Sequence, residues 1–497
     1  MTLTGFYLPF ASRLDPEASA RMQALVRALL CHPLPGVTDL VPGYVNLYVE
    51  FDAEQTSEGR VRRWVEQHLE RLPEAASGRC VEIPVRYDGP DLAWVAGATG
   101  LSAEEVVRLH SRPLYWVFAT GFTPGFPFLG PLPEALRLPR RSTPRPQVPA
   151  HAVAIAGDQT GIYPLPSPGG WHLLGTALVQ VYDPHRSEPF YLQAGDRVRF
   201  VPAWGPTPPL PEPLELLPPE PLYPVLRVEE PGLLDLVVDG GRRLAGHLGL
   251  AAGGPLDARS ARLANALVGN PPGTPLLEFT LKGPVLRALA PAVVAFAGYG
   301  MRPLRNGEPL PAGQSFALGR GDVLRFQSLA QGARGYLALA GGLESRRFYG
   351  SASADVRGRV GRPLRAGDVL GVASPRAVRP GFAHALPELA PAVVRLLPGP
   401  QHTPEALEAL TSAPYTLTAG DRMGLRLEGP RVPGGELISE ATPLGAIQIT
   451  PQGQPLVLLH DRGRMGGYAK PALVHPADLF RLGQLRPGEE VRFVAFT

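Results

Sequence analysis

The chain has 497 residues and a formal net charge of +3, with 44% apolar and 19% charged side chains. That length exceeds one hydrophobic core and predicts three or four domains, and so small a net charge gives no support for nucleic-acid binding despite a pI near 8.9. The longest apolar run, around Ala288 to Gly298, is too short to span a bilayer, and MTLTGFYLPF lacks the basic-then-apolar order of a leader, so a soluble cytoplasmic protein with no membrane contact is expected.

Residues 1–78 read as a small α+β unit. Asp15 and Pro16 suit the cap and first position of a helix whose Met22, Leu25, Val26 and Leu29 share one face. Val45, Leu47, Val49 and Phe51 alternate with Asn46, Tyr48 and Glu50 as a half-buried strand, and Val61, Val65, Leu69 and Leu72 recur at helical spacing. A second unit, 79–201, opens with the strand CVEIPVRY and a capping box, Ser102 with Glu105, and is then mostly β. Cys31 and Cys80 lie in apolar periodic segments, which predicts buried, reduced thiols. Residues 202–224 are so rich in proline that a polyproline-like tether is expected, followed by β units at 225–388 and 389–497, the latter with a helix at QHTPEALEAL.

Within the second unit, TGFTPGFPFLG, RRSTPRPQVPA and AGDQTGIYPLPSPGGW break any helical period every few residues and must form strands and tight turns. Gly121, Phe122, Pro124, Gly125 and Phe126 make the first turn. Arg145, Gln159, Thr160, Tyr163, Ser167 and Trp171, beside Gly169 and Gly170, add hydrogen-bonding groups and an aromatic face, the composition of a small-molecule binding surface. A barrel corner is the alternative use of any one of these glycines. His110 reads as a core histidine or a general base.

Turns followed by alternating strands recur in AGDRVRF, RGDVLRF, AGDVLGV and PGEEVRF, and GGWHLLGTALV precedes the first much as GGYAKPALV precedes the last. Related barrels in the two halves are therefore expected. The chain has two lysines, Lys282 and Lys470, and neither sits in a P-loop or a biotin-carrier turn. The histidines and cysteines show no metal-ligand spacing, and no Gly-x-Ser-x-Gly elbow occurs, so no metal site is expected and no serine-hydrolase motif is present.

The glycine and proline run resembles the Kip-inhibitor family, also described as allophanate hydrolase subunit 1-like and as the B subunit of prokaryotic oxoprolinase. DGGRRLAGHLGLAAGGPLDARSARLANALVGN, GSASAD, DRMGLRLEGP and DRGRMGGYAK resemble its partner, the Kip-antagonist family. Relatives of both occur in the carboxyltransferase region of urea carboxylase. The resemblance implies a natural fusion of two subunits, a mainly β fold with an α+β N-terminal unit and repeated cyclophilin-like β-barrels. It also implies an ATP-dependent opening of the pyroglutamate lactam, with a separate oxoprolinase A component as partner. One alternative is a biotin-dependent carboxyltransferase acting on urea or a similar amide, its biotin on a separate carrier. A histidine-kinase regulator is the third reading, which fusion of an inhibitor to its own antagonist argues against. The Ser-Ser-Lys arrangement and Gly/Ser-rich loop of true allophanate hydrolase are absent. A homo-oligomer is compatible with all three readings.

In the second half, Asp461, Arg462, Gly466, Gly467, Tyr468 and Lys470 form the strongest polar group in glycine-rich turns, suited to negative charge developing on an oxygen. Lys470, Asp461 and Asp257 are the candidate catalytic residues, and Asp239, Arg242 and Asn265 join the substrate-binding set. Asp257 also suits a helix N-cap. Ala352 and Ala354 stand where the family tends to have Arg and Thr, and Arg464 and Met465 where Thr is common, which removes potential anion contacts.

Overall fold

The structure, a computed structural model, describes residues 2–72, 78–389 and 392–496. Residues 390 and 391, inside the expected boundary between the last two units, lie outside them. The fold is mainly β, and two closed seven-stranded barrels dominate it.

In the N-terminal unit Asp15 accepts the amides of Glu17 and Ala18 at 2.9 and 3.3 Å, and Pro16 fills the first helical position. The helix Pro16–Cys31 that follows buries Met22, Leu25, Val26 and Leu29 and packs, with helix Glu58–Leu69, against three antiparallel strands. Their order is Leu3–Pro9, Asn46–Asp52, Val37–Pro42. The central strand is buried on both faces, not half-buried as its alternation predicts. Its polar face is the seat of the second half, where Asn46 donates to Glu440 at 2.9 Å and Glu50 meets Arg462 at 3.4 Å.

The thiols also depart from expectation, since Cys31 and Cys80 are exposed. Cys31 ends its helix, and in strand Cys80–Arg86 the inward parity belongs to Ile83 and Val85, which leaves Cys80 outside. The capping box of Ser102 and Glu105 forms as expected at the start of helix Ala103–Ser111. His110, at the end of that helix, is a core residue. Thr160 Oγ1 donates to the Ala154 carbonyl and so accepts from His110 Nε2, leaving Nδ1 to accept from Tyr87.

The two barrels are built alike. Around the first run His172–Ala177, Cys80–Arg86, Arg197–Pro202, Tyr115–Thr120, Pro127–Gly130, Gln159–Ile162 and Ala152–Ala156. Around the second run Ala472–Val474, Ala392–Pro398, Glu490–Ala495, Tyr415–Gly420, Gly424–Glu428, Pro455–Leu458 and Ala446–Ile449, the same chain order. Each has one parallel pair, between its first and last strands. The repeated turns enter those last strands with Gly195 and Gly488 at φ of 98° and 88°, a conformation that Cβ-bearing residues rarely adopt. Each barrel also carries a two-stranded flap, Arg145–Val148 with Ser167–Gly169 in the first and Glu436–Ala441 with Met465–Tyr468 in the second. Between the barrels lies a two-sheet β unit, and helix Ala258–Leu267 packs on its five-stranded sheet.

The proline-rich tether is a strap held along the surface. Arg86 donates to the Gly205 carbonyl at 2.6 Å and His185 contacts the Glu212 carbonyl at 3.0 Å, which ties its start to the first barrel. Leu214 bonds Arg359 and Gly361, Glu215 pairs with Arg362 at 2.8 Å, and Leu216 is buried, which ties its end to the second half. The handover falls at Glu212. A protease site inserted there is expected, after cleavage, to leave both pieces in one particle on size-exclusion chromatography, because the halves share a buried joint independent of the strap. Elution as two separate pieces would show that the strap holds them together.

Candidate functional site

The turn after strand Tyr115–Thr120 makes the close backbone approach that its glycines permit, but to the second half of the chain. A Cβ on Gly121 would lie 2.8 Å from Met465 Cγ, the Gly125 amide donates to the Leu248 carbonyl at 3.3 Å, and Thr120 Oγ1 donates to the His247 carbonyl at 2.6 Å. Pro124 lies against Gly358. Phe122 is held at a φ of 64° and meets Phe126, whose ring packs against Tyr163 and Trp171 at 5.0 and 5.6 Å between centroids. Phe126, Tyr163 and Trp171 share one buried cluster with Tyr44, Ala441 and Met465, so the aromatic face is a joint between the halves. Arg145 is committed to Asp91 at 2.7 Å, and Thr160 to Ala154 and His110. Gln159 Oε1 and Ser167 Oγ are buried with no partner among the described residues.

The flaps face each other across this joint. Arg141 donates its amide to the Gly170 carbonyl at 2.8 Å, which places Arg140 beside the first flap. The Arg140 guanidinium reaches Ser439 at 3.3 Å and covers the Cα of Gly467, where a Cβ would come within 2.7 Å. Tyr163 packs its hydroxyl against Gly169, and Gly466 lies against Gln448. Next to the second flap Lys470 is fully buried, with Nζ 2.9 Å from Glu440 Oε1 and 3.4 Å from the carbonyl of the half-exposed Tyr468. Burial lowers the Lys470 pKa, although Glu440 opposes it.

A second locality is a cavity of about 670 Å³. Its wall includes Thr38, Glu50 and Asp52 of the N-terminal sheet, the turns at Asp239 to Arg243 and Ala252 to Leu256, one face of helix Ala258–Leu267, and Leu444, His460 and Arg462 of the second barrel. Asp239 and Arg242 line it but are occupied. Asp239 accepts from Gly241, Ser351, Ser353 and Ala352 at 2.6 to 2.9 Å, and Arg242 donates to the carbonyls of Phe348, Ala251 and Ser353 at 2.8 to 3.0 Å. Asn265 bridges Thr274 and Asn270. Asp257 caps its helix, taking the amides of Arg259 and Ser260, the Ser260 hydroxyl and Gln484. The structure therefore gathers Asp239, Arg242 and Asn265 at the cavity and Tyr163, Gly169, Gly467, Tyr468 and Lys470 at the flaps.

Asp461 is held by Arg422 at 2.7 and 3.1 Å, and Arg422 also pairs with the fully buried Glu278 and donates to the Gly254 carbonyl. Burial pushes the Asp461 carboxyl up to about 6 against the pull of Arg422. The same kind of desolvation lowers the neighbouring His460 to about 3, and its Nδ1 has no partner among the described residues.

Sequence reasoning placed Arg462 in an anion-stabilising group and Arg464 among the departures from the family, and missed that both join the halves. Arg462 meets Glu50, and Arg464 pairs with Asp39, which also takes the Gly246 amide. Arg464 and Met465, departures from the family pattern, are thus joint residues in this fused chain. Their signal was the departure itself. No group of three or more His, Cys, Asp or Glu is placed to hold a metal among the described residues, and none of their helices is long and apolar enough to cross a membrane.

Two like barrels, each with a flap and joined through an arginine-rich seam, define a two-part carboxyltransferase-domain architecture. Residues 1–192 match the family model for carboxyltransferase domain, subdomain C and D, and residues 248–495 match subdomain A and B. The chain belongs to the carboxyltransferase-domain family of the 5-oxoprolinase B and C subunits, with both parts in one polypeptide. It is 47% identical over 176 residues to the B subunit of 5-oxoprolinase from Escherichia coli O157:H7, covering 34% of this chain and 79% of that one. It is 31% identical over 281 residues to the C subunit of 5-oxoprolinase from Escherichia coli K12, covering 54% and 91%. The crystal structure of TTHA0988 superimposes with a TM-score of 0.95 at 61% identity, covering 99% of this chain and all of that one.

Proposed function

We propose that this chain does the work of the B and C subunits of an ATP-dependent 5-oxoprolinase, opening the lactam of pyroglutamate to glutamate with a separate A-type subunit. The observation that carries this reading is the presence of both subunit types in one chain, docked through buried ion pairs. A lactam carbonyl is a poor electrophile. Transfer of the terminal phosphoryl group of ATP to its oxygen makes the carbon open to water; the C–N bond then breaks to leave an acyl phosphate, which a second water hydrolyses to the carboxylate and free phosphate.

Lys470, buried beside Glu440 at the flap junction, offers a cation to the developing oxyanion, and Asp461, with its carboxyl near 6, can exchange a proton around neutral pH. Asp257, committed to its helix, serves as a positioning group.

The test is to mix the chain with an A-type subunit, ATP and pyroglutamate and to follow glutamate and phosphate. Both products are expected only in the complete mixture, and Lys470→Met is expected to lower the rate by roughly 10²–10³-fold. Pyroglutamate left untouched by the complete mixture overturns the reading. The family's carboxyltransferase description favours a second one, carboxyl transfer from a carrier-borne biotin to a small amide. Carboxylation of urea by the chain plus a carboxybiotin carrier, without glutamate formation, would select it.

A further inference from the structure

The mouth of the cavity beside helix Ala258–Leu267 carries more positive charge than its surroundings neutralise. Arg243 and Arg262 line it, are exposed, and have no side-chain hydrogen bond or ion pair among the described residues. Arg259 lines it as well, and its guanidinium lies 4.4 Å from the Phe480 ring with no carboxylate partner among those residues. The four carboxylates on the wall are all engaged. Glu50 meets Arg462 and Thr38, Asp52 takes Thr2, Glu54 and Gln55, Glu54 accepts the Thr2 hydroxyl, and Asp239 is filled as described above. Three arginines therefore line one open cavity with no carboxylate partner among the described residues.

The glycine turns of the wall do not supply a phosphate cradle of backbone amides. Gly240 donates to the Gly273 carbonyl, Gly241 to Asp239, Gly253 to the His460 carbonyl and Gly254 to Ser353. Anion recognition is thus left to the arginines, whose planar forks suit phosphate oxygens two at a time. The same wall carries the apolar side chains of Leu256, Leu444, Leu479 and Phe480. The volume, about 670 Å³, lies within the range that holds small organic ligands.

We infer that this cavity is a seat for a nucleoside polyphosphate, with its phosphates at Arg243, Arg259 and Arg262 and its base against the leucine wall. Neither Lys470 nor Asp461 lines this cavity, so the inference goes beyond the proposed function and rests on it only for the use to which a phosphoryl donor is put. Phosphate groups also reach a protein as free pyrophosphate, so the test has separate arms for the two.

Binding of ATP, pyrophosphate and inorganic phosphate to the full chain is measured by titration calorimetry without any A-type subunit, for the natural protein and for Arg243→Ala, Arg262→Ala and the double variant. Both side chains are exposed, so the variants are expected to fold, which circular dichroism checks. ATP is expected to bind more tightly than pyrophosphate, and each single variant to weaken it by roughly ten- to a hundredfold. Arg302→Ala, an exposed arginine away from this cavity, is expected to leave binding unchanged. The inference is overturned if ATP does not bind, if the double variant binds it as before, or if pyrophosphate binds as tightly as ATP. ATP binding that survives in a chain unable to support lactam opening would sink the proposed function and leave this inference standing.

Discussion

Arg422→Met is expected to lower the free energy of unfolding by about 3–5 kcal/mol at pH 7.5, and by clearly less at pH 5.5. The guanidinium is buried between two carboxylates, Glu278 and Asp461, and also binds the Gly254 carbonyl. Burial pushes Glu278 up, yet Arg422 and Arg334 together hold it below its usual range. Burial raises Asp461 to about 6 even with Arg422 in place.

Without the cation both carboxyls rise, Asp461 further above its unfolded value and Glu278 from below its own. A carboxyl whose folded pKa lies above its unfolded one stabilises the fold below the unfolded value and loses that contribution as pH rises through the folded one. The variant's deficit is therefore largest in alkali and shrinks as protons neutralise the stranded pair. Denaturant unfolding followed by circular dichroism at the two pH values measures this. Equal deficits at both would mean that Arg422 acts through packing and its carbonyl bond, not through charge.

Arg464→Met is expected to cost a similar amount, about 3–5 kcal/mol, because it strands the buried Asp39 carboxylate inside the joint. In protein cleaved at Glu212 the same change should weaken association of the two pieces by roughly two to three powers of ten. Asp39→Asn in the Arg464→Met background is expected to recover most of the loss. Its remaining side-chain oxygen still accepts from the Leu40 and Gly246 amides, and the charge is gone. Arg464 itself leaves Nε and Nη1 without partners among the described residues, so little else depends on it. Trp171 lies in the joint's aromatic cluster, and its fluorescence follows the association. A double variant no more stable than the single one would show that charge burial is not what holds the halves together.

Much of the local structure was legible because its causes are local. Asp15 with Pro16, and Ser102 with Glu105, start helices through contacts within three residues. The repeated Gly-Asp and Gly-Glu turns mark the strands that close each barrel. The candidate site was legible only in outline. Arg145 could be read as an anion-binding side chain or a structural salt bridge, and Asp91, 54 residues away, makes it the latter, while Arg140 five residues earlier faces the opposite flap. Periodicity shows which side of a strand is polar but not what covers it, so Asn46, Tyr48 and Glu50 read as solvent-facing.

By itself the sequence determined the mainly β character, the repeated turn-and-strand modules and the capped helices, since each follows from turn chemistry and short-range spacing, while the two subunit-like halves were legible through a family resemblance. The tertiary structure alone decided which charges neutralise one another and which are left facing a cavity. Asp39 and Arg464 stand 425 residues apart and Glu50 and Arg462 stand 412 apart. In a poorly polarisable interior paired charges attract strongly and an unpaired one is costly, and it is the docking of the halves that brings those groups within reach.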